Sequence, residues 1–316
     1  MLDKFELFDE LPFDIRAEVT RFLSTKDFIN LSMTSKSNSP FFSTNQHLKP
    51  IYEARKFLHH VVCGNHEVVA KMLNKTPHLM CIRGQVRDLS GRTFTNISGF
   101  EYCMWALDKH MWTKMLASLH KTKEEEEIKA VLWTQYQKIK EHGVTYTLHG
   151  ATKHYMPETI NKTEKHFDFE GTIIKELQEY VDNRDDNQWQ KGVGGAQRLL
   201  PAHVVDEYCS DTGLCGRSLW GLPDFKEQHK SSKEFYSWKS NRLEPWFGPV
   251  STLGEDFAIY NGGGTTRAAV SVTFPRGGTL EDLDAIKVLY EVRTNDFLAL
   301  ENDLKPCKLA ENQYKY

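Results

Sequence analysis

The stretch LPFDIRAEVTRFLSTKDFINLSMTSKSNSPFF, residues 11–42, decides how the N-terminal part of the chain folds. Pro12 suits the first turn of a helix, because the missing N–H of a proline costs nothing there. Ser24, with Asp27 three residues later, is typical of a capping box that starts a second short helix. Such short helices are marginal alone, so we expect their apolar side chains to pack against the rest of the chain or against a partner. Those side chains recur at helical spacing in Leu11, Ile15, Val19, Phe22, Leu23, Phe28, Ile29, Leu31 and Met33.

The order and spacing of this stretch resemble an F-box, with Leu-Pro at its start, Asp27 at the break and TSK at 34–36. An F-box is a short helical module that docks on a Skp-type adaptor and so joins a cullin-RING (SCF) ubiquitin ligase. The segment departs from the family pattern at its end, where Phe41 and Phe42 stand instead of a tryptophan. The alternative is a helical hairpin that caps the protein's own core. The resemblance implies an F-box in residues 1–45 with adaptor-binding residues Leu11, Pro12, Ile15, Val19, Phe22, Leu23 and Leu31.

Residues 46–120 resemble two degenerate ankyrin repeats, in FLHHVVCGNHEVVAKMLNKTPHLM (57–80) and DLSGRTFTNISGFEYCMWALDKHMWTKML (88–116). Their spacing is close to the ankyrin period of about 33 residues, although the usual Thr-Pro-Leu-His is absent. About three repeats are normally needed to bury a continuous core, so we expect flanking helices to support these two. An unrelated helical bundle is the alternative. The second helix pair should bury Phe100, Cys103, Met104, Leu107, Trp112 and Met115.

The rest of the chain changes character after a long charged helix. Residues 121–143 predict a connecting helix whose acids precede its lysines, which favours i, i+4 pairs. From Val144 onward, β-forming and turn residues alternate with amphipathic helices. The predicted fold is therefore multi-domain: an all-α N-terminal half, with F-box helices and ankyrin-like helical repeats, followed by an α+β C-terminal domain in residues 144–316.

Composition excludes several classes of function. The 316 residues include 40 basic and 43 acidic residues, and this formal charge of -3 argues against general nucleic-acid binding. No apolar run approaches the roughly 20 residues of a membrane-spanning helix, so we expect no membrane span. The acidic N-terminus does not fit a secretory signal of the Sec type. The six scattered cysteines predict reduced thiols in a cytosol.

Three features of the C-terminal half could carry chemistry, and each is weak. Cys209 with His203 could form a nucleophile and its base, but the sequence supplies no third group to orient the base. His203, Cys209, Cys215 and His229 have a spacing that fits no tight zinc knuckle. The Gly-rich loop at 262–264 lacks the Lys-Ser/Thr of a phosphate-binding loop. We therefore predict no catalytic residue, no metal and no cofactor.

Several C-terminal segments, among them GVGGAQRLLPAHVVDEYC and VRTNDFLALEND, resemble a region shared by secreted (type IV) effectors of Legionella-type bacteria. F-box modules belong to eukaryotic ligases, so the two resemblances together imply a bacterial protein that acts in the host cell cytoplasm after secretion. The predicted function is a non-catalytic subunit that recruits an unidentified host target to an SCF ubiquitin ligase. One alternative is an effector enzyme, a transferase or hydrolase, in residues 144–316. The other is a scaffold that occupies the adaptor non-productively.

Overall fold

A computed structural model of the chain gives the positions of most residues. The structure describes residues 8, 10–21, 23, 27–28, 30–31, 41–42, 48–119, 123–149, 159–211, 213–214, 223–260, 269–273 and 278–305. Predictions for Phe22, Ser24, TSK at 34–36, Cys215 and the loop at 262–264 lie outside the described residues.

Helices dominate the described part of the chain. They are α1 (Phe13–Arg21), α2 (Lys49–Val62), α3 (His66–Leu73), α4 (Gly99–Ala106), α5 (Lys109–Ala117), α6 (Lys123–His142), α7 (Lys175–Asn183), α8 (Gly194–Gln197), α9 (Ala202–Tyr208) and α10 (Thr279–Leu304). A 3-10 turn precedes the first strand, and π-helical turns precede α7 and α8, at Pro77–Cys81, Glu170–Ile174 and Gln188–Val193.

Two four-stranded sheets accompany the helices. The first has the order β1-β2-β3-β4 and is antiparallel, with strands Arg83–Arg87, Arg92–Ser98, Val144–His149 and Thr159–Glu164. The second has the order β6-β5-β8-β7, with β5 and β8 parallel, and its strands are Glu234–Ser237 (β5), Arg242–Pro245 (β6), Ala258–Tyr260 (β7) and Val270–Val272 (β8).

Two helix pairs, α2–α3 and α4–α5, lie in the part of the chain that was predicted to hold the repeats. Helix α2 packs on α4 and α3 packs on α5. Each pair turns through a residue with positive φ followed by an N-cap residue, which is Gly64 (φ 72°) with Asn65 in the first pair and Leu107 (φ 58°) with Asp108 in the second. The six residues predicted to line the second pair are all buried, as predicted.

Two features of this region differ from the sequence-based prediction. The N-terminal half is not all-α, because the β1–β2 hairpin separates the helix pairs. The pairs are also further apart than the ankyrin period: α3 begins at His66 and α5 begins 43 residues later at Lys109. The turn at Pro77–Cys81 and the five- and seven-residue strands of the hairpin occupy the additional length. The helical N-terminus and the mixed C-terminal part otherwise agree with the predicted fold class.

One large hydrophobic core runs through most of the chain, from Phe57 in α2 to Leu304 in α10. The boundary predicted at 144 does not divide this core, because β3 begins there and pairs with β2. The predicted connecting helix is α6, and it contributes Leu132, Tyr136 and Ile139, which are fully buried. The described residues from Phe57 to Leu304 therefore share one apolar core, while a second, small core contains Phe28, Leu31, Phe42 and Leu48.

Candidate docking face and a buried ionisable cluster

An exposed apolar row runs along α1 and the residues just before it. Leu11, Ile15 and Val19 are 36%, 46% and 45% exposed. The spacing of four residues places Ile15 and Val19 on one side of α1, and Leu11 lies two residues before the helix begins. Pro12 is also exposed beside this row, while Thr20 on another side of the helix is fully buried. We call Leu11, Ile15 and Val19 the docking row. Four of the predicted adaptor-binding residues thus face solvent.

Of the other predicted adaptor-binding residues, the structure describes Leu23 and Leu31, and these two lie elsewhere. Leu31 is 7% exposed and belongs to the small N-terminal core, and Leu23 packs against that core, so neither lies on the exposed face. Arg55 of α2 connects this core to the first helix pair. Its Nη1 donates a hydrogen bond to the Leu23 carbonyl at 2.9 Å, and its guanidinium lies 4.6 Å from the ring centroid of Phe28. The fully buried members of the small core are Phe28, Phe42 and Leu48.

A cluster of ionisable side chains lies between the helix pairs and the C-terminal part. Arg293 of α10 is fully buried, and its Nη2 lies 2.9 Å from Nε2 of His110 in α5. The same guanidinium lies 3.8 Å from Oε1 of Glu207 in α9 and 3.2 Å from Oδ2 of Asp296. Asp108, the N-cap of α5, accepts a hydrogen bond from the Met111 amide at 3.0 Å. No local sequence pattern indicates this cluster, because its members lie on helices that are far apart in the chain.

Burial controls the protonation of this cluster. Loss of hydration lowers the pKa of His203 to about 4, and the positive charge of Arg293 acts in the same direction. Burial likewise lowers the pKa of His110 to about 4, again helped by Arg293. Burial raises the pKa of Glu207 to about 8 even though Arg293 lowers it. Both imidazoles are therefore neutral at pH 7, because a further positive charge beside the buried guanidinium of Arg293 would be unfavourable.

The candidate pair Cys209 and His203 has two different environments. Cys209 is near Asp206, whose carboxylate accepts from Ser231 and from Lys233 Nζ, both at distances between 2.7 and 2.9 Å. Burial raises the pKa of the Cys209 thiol far above its usual range, and the charge of Asp206 raises it further. His203 interacts instead with Asp108 and Arg293. Within the described residues no hydrogen bond joins the thiol to this imidazole, and the thiol is in its protonated form at neutral pH.

Of the four residues that were considered as zinc ligands, the structure describes His203, Cys209 and His229. His229 lies with its Nε2 3.7 Å from a Glu207 oxygen, and no group of three or more His, Cys, Asp or Glu side chains there could hold a metal ion. Among the described helices, none is both long and apolar enough to cross a membrane.

Comparison with known proteins places the chain in a family. It is 35% identical over 266 residues to the uncharacterized protein CBUA0006 of Coxiella burnetii, and the match covers 79% of this chain and 74% of that relative. The chain belongs to the CBUA0006 family. Residues 172–304 match the CBUA0006 C-terminal domain, which begins within the π-helical turn before α7 and ends with α10. No solved structure matches.

The family assignment agrees with the bacterial kinship expected from the sequence. The matched domain contains α9 and α10, which carry Glu207 and Arg293 of the buried cluster. It begins later than the C-terminal domain predicted from Val144, and it leaves out β3 and β4, which belong to the same sheet as the β1–β2 hairpin.

Proposed function

We propose that this protein is an F-box subunit that docks on a host Skp-type adaptor and recruits a host protein to a cullin-RING ubiquitin ligase. The observation that carries the proposal is the docking row: Ile15 and Val19 are exposed on one side of α1, and Leu11 is exposed just before the helix begins. An apolar row with a four-residue repeat is the pattern by which an amphipathic helix enters a partner's groove.

The position of the small N-terminal core supports this proposal. Its apolar side chains are separate from the large core, and they include Leu48, Ile51 and Tyr52 at the start of α2. The Arg16 guanidinium of α1 lies 4.9 Å from the ring centroid of Phe41, so α1 and the small core form one module. Since such a module buries little apolar surface, further exposed leucine, isoleucine and valine side chains are unfavourable unless a partner covers them. Leu23 and Leu31 would then support the docking row from within and would not touch the adaptor.

The bacterial relative supports the proposed site of action. F-box modules work in eukaryotic ligases, so a protein of a bacterial family that carries one would meet its adaptor in the host cell cytoplasm after secretion. In such a ligase the F-box subunit forms no covalent intermediate with ubiquitin. Its remaining surface would hold the target, which in this chain means the helix pairs and the C-terminal part.

The proposal is tested with purified protein and a purified Skp-type adaptor. Changing both Leu11 and Pro12 to Ala, or changing Ile15 to Glu, should weaken binding because each change removes apolar contact from the row. A central contact is worth on the order of 2 kcal/mol, which corresponds to a loss of about thirtyfold in affinity. Calorimetry or surface plasmon resonance gives the dissociation constants.

Leu298→Glu is the matched control for Ile15→Glu. Leu298 is 51% exposed on α10, so it tolerates a polar side chain to the same degree but lies on a different helix. The control should bind the adaptor as the unchanged protein does. If Ile15→Glu and Leu11→Ala/Pro12→Ala retain full affinity while their circular dichroism is unchanged, the F-box proposal is wrong.

A reconstituted ligase separates the recruiter from the two alternatives. A recruiter should support ubiquitin transfer to a host target, and Cys209→Ala or His203→Ala should leave that transfer intact in protein that remains folded. A scaffold that only occupies the adaptor would bind it without supporting transfer. An enzyme that depends on Cys209 would lose its own reaction in either variant, because a nucleophile and its base work as a unit.

A further inference from the structure

A cleft of about 450 Å³ opens where the tip of the β1–β2 hairpin meets the C-terminal part of the molecule. Its size is that of an ordinary ligand site, which is usually between about 300 and 1,000 Å³. Two kinds of side chain line it. Leu89, Leu148, Leu199, Phe247 and Pro249 form apolar walls, and Arg87 and Arg198 bring positive charge.

Hydrogen bonds hold the walls of the cleft in place. Ser90 Oγ at the hairpin tip donates to the Leu200 carbonyl at 2.8 Å, and Arg92 Nη2 donates to the Leu199 carbonyl at 2.6 Å. On the other side, the indole of Trp246 donates to the Gln197 carbonyl at 2.9 Å. The cleft is therefore already formed before anything binds, which reduces the entropy lost on binding.

The arginines around the hairpin have different electrostatic roles. Arg92 is buried, and its charge is balanced by Asp88, whose Oδ2 lies 3.2 Å from Arg92 Nη1. Arg87 is exposed, and Arg198 makes a hydrogen bond of 3.3 Å to the Leu253 carbonyl. Among the described residues neither of these two guanidiniums forms an ion pair, and no Asp or Glu lines the cleft. Two positive charges thus lie at its surface without a nearby carboxylate partner.

We propose that this cleft binds a short peptide segment with an acidic side chain next to an apolar one. The carboxylate would accept hydrogen bonds from Arg87 and Arg198, since a guanidinium fork matches the two oxygens of a carboxylate. The neighbouring apolar side chain would contact Leu199 and Phe247. A nucleic acid fits less well, because the chain has a formal charge of -3 and the cleft offers two cations beside a mainly apolar lining.

The cleft proposal rests on the proposed function in one respect: the natural ligand would be a segment of the recruited protein. A library of random short peptides is selected for binding to the full-length protein in the absence of any adaptor. Enriched peptides should place Asp or Glu beside Leu or an aromatic residue. Fluorescence polarisation of the labelled peptides then gives their affinity for the unchanged protein and its variants.

Arg87→Gln and Arg198→Gln should each weaken the enriched peptides about tenfold, the value of one charge-assisted hydrogen bond. Arg242→Gln is the matched control, because Arg242 is exposed on β6 and does not line the cleft. Replacing the acid of the peptide with its amide should weaken binding to the unchanged protein more than either substitution does, because the amide loses the contacts with both arginines. In Arg87→Gln and in Arg198→Gln the same replacement should cause a smaller further loss, because only one arginine contact remains there. Arg87→Gln removes no hydrogen bond within the described residues, so it tests the cleft even if Arg198→Gln alters the fold.

Three results would overturn the peptide-binding proposal. They are the absence of any enriched peptide, enriched peptides without acids, or peptide affinity that is the same in Arg87→Gln, Arg198→Gln and the unchanged protein. The variant Leu11→Ala/Pro12→Ala should bind the peptides normally. If the unchanged protein binds the enriched peptides but not the adaptor, only the F-box proposal is contradicted. If it binds the adaptor but enriches no acidic peptide, only the cleft proposal is contradicted.

Discussion

Leu107 offers a quantitative test of the turn that joins α4 and α5. Its side chain is fully buried, and its backbone has φ 58° and ψ 34°, in the left-handed region that disfavours residues with a Cβ. Leu107→Ala removes the buried side chain and keeps the Cβ. We expect it to lower the free energy of unfolding by roughly 2–5 kcal/mol, the usual range for this change in a core.

Leu107→Gly separates the packing of this residue from its backbone strain. Glycine loses the same buried contacts but tolerates positive φ, which is worth about 1 kcal/mol. The glycine variant should therefore be about as stable as the alanine variant, or more stable by up to this amount. Gly64 occupies the same position in the first helix pair, and a Cβ added there would lie 3.6 Å from Oδ2 of Asp206, an ordinary contact distance. Gly64→Ala should then cost about 1 kcal/mol through strain alone.

Urea denaturation followed by tryptophan fluorescence gives these free energies, because Trp105 and Trp112 lie in the large core around this turn. A denaturation curve of Leu107→Ala that coincides with that of the unchanged protein would refute the burial of this side chain. A glycine variant that is clearly less stable than the alanine variant would refute the argument from backbone strain.

Three further predictions concern buried polar groups. Cys209 should react slowly with iodoacetamide at pH 8 in the folded protein and much faster in urea, because burial and Asp206 raise the pKa of its thiol. Mass spectrometry after timed quenching measures the labelling rate. Fast labelling of the folded protein would contradict the raised pKa. Because His203 stays neutral in the folded protein, the free energy of unfolding should fall as the pH falls from 6.5 to about 4, where only the unfolded chain takes up a proton at this residue. His203→Gln should reduce the slope of the free energy of unfolding against pH by up to about 1.4 kcal/mol per pH unit. An unchanged slope would contradict the assignment. Asp88→Asn should lower the free energy of unfolding by roughly 3–5 kcal/mol, because it leaves the buried charge of Arg92 unpaired. A loss of less than about 1 kcal/mol in the same urea assay would show that Asp88 and Arg92 do not form a buried ion pair.

Local patterns in the sequence predicted the helical parts well. The spacing of Phe100, Met104 and Leu107 predicted a helix pair, and the structure buries all three, although α4 is buried on every side. The same periodicity placed Ile15 and Val19 together on one side of α1, where they are exposed. These predictions succeeded because residues three and four apart on a helix share a face, whatever lies opposite.

Contacts between distant segments could not be predicted in this way. Nothing local indicates that Arg92 and Thr93 of β2 pair with β3, or that Arg293 lies against His110, which is 183 positions away. The length of the hairpin between the helix pairs was missed for a related reason. A period of about 33 residues was assumed from the family pattern, whereas the strands of this hairpin add residues that only their pairing reveals.

Hydrogen–deuterium exchange of the unchanged protein, with and without a purified Skp-type adaptor, tests the central proposal most directly. Exchange reports where the adaptor lies without relying on a substitution. We predict that the adaptor slows amide exchange in α1, Phe13–Arg21, and leaves exchange in α6 and α10 unchanged. Unchanged exchange in α1 at saturating adaptor, or protection confined to other helices, would contradict the assignment of Leu11, Ile15 and Val19 as the docking row.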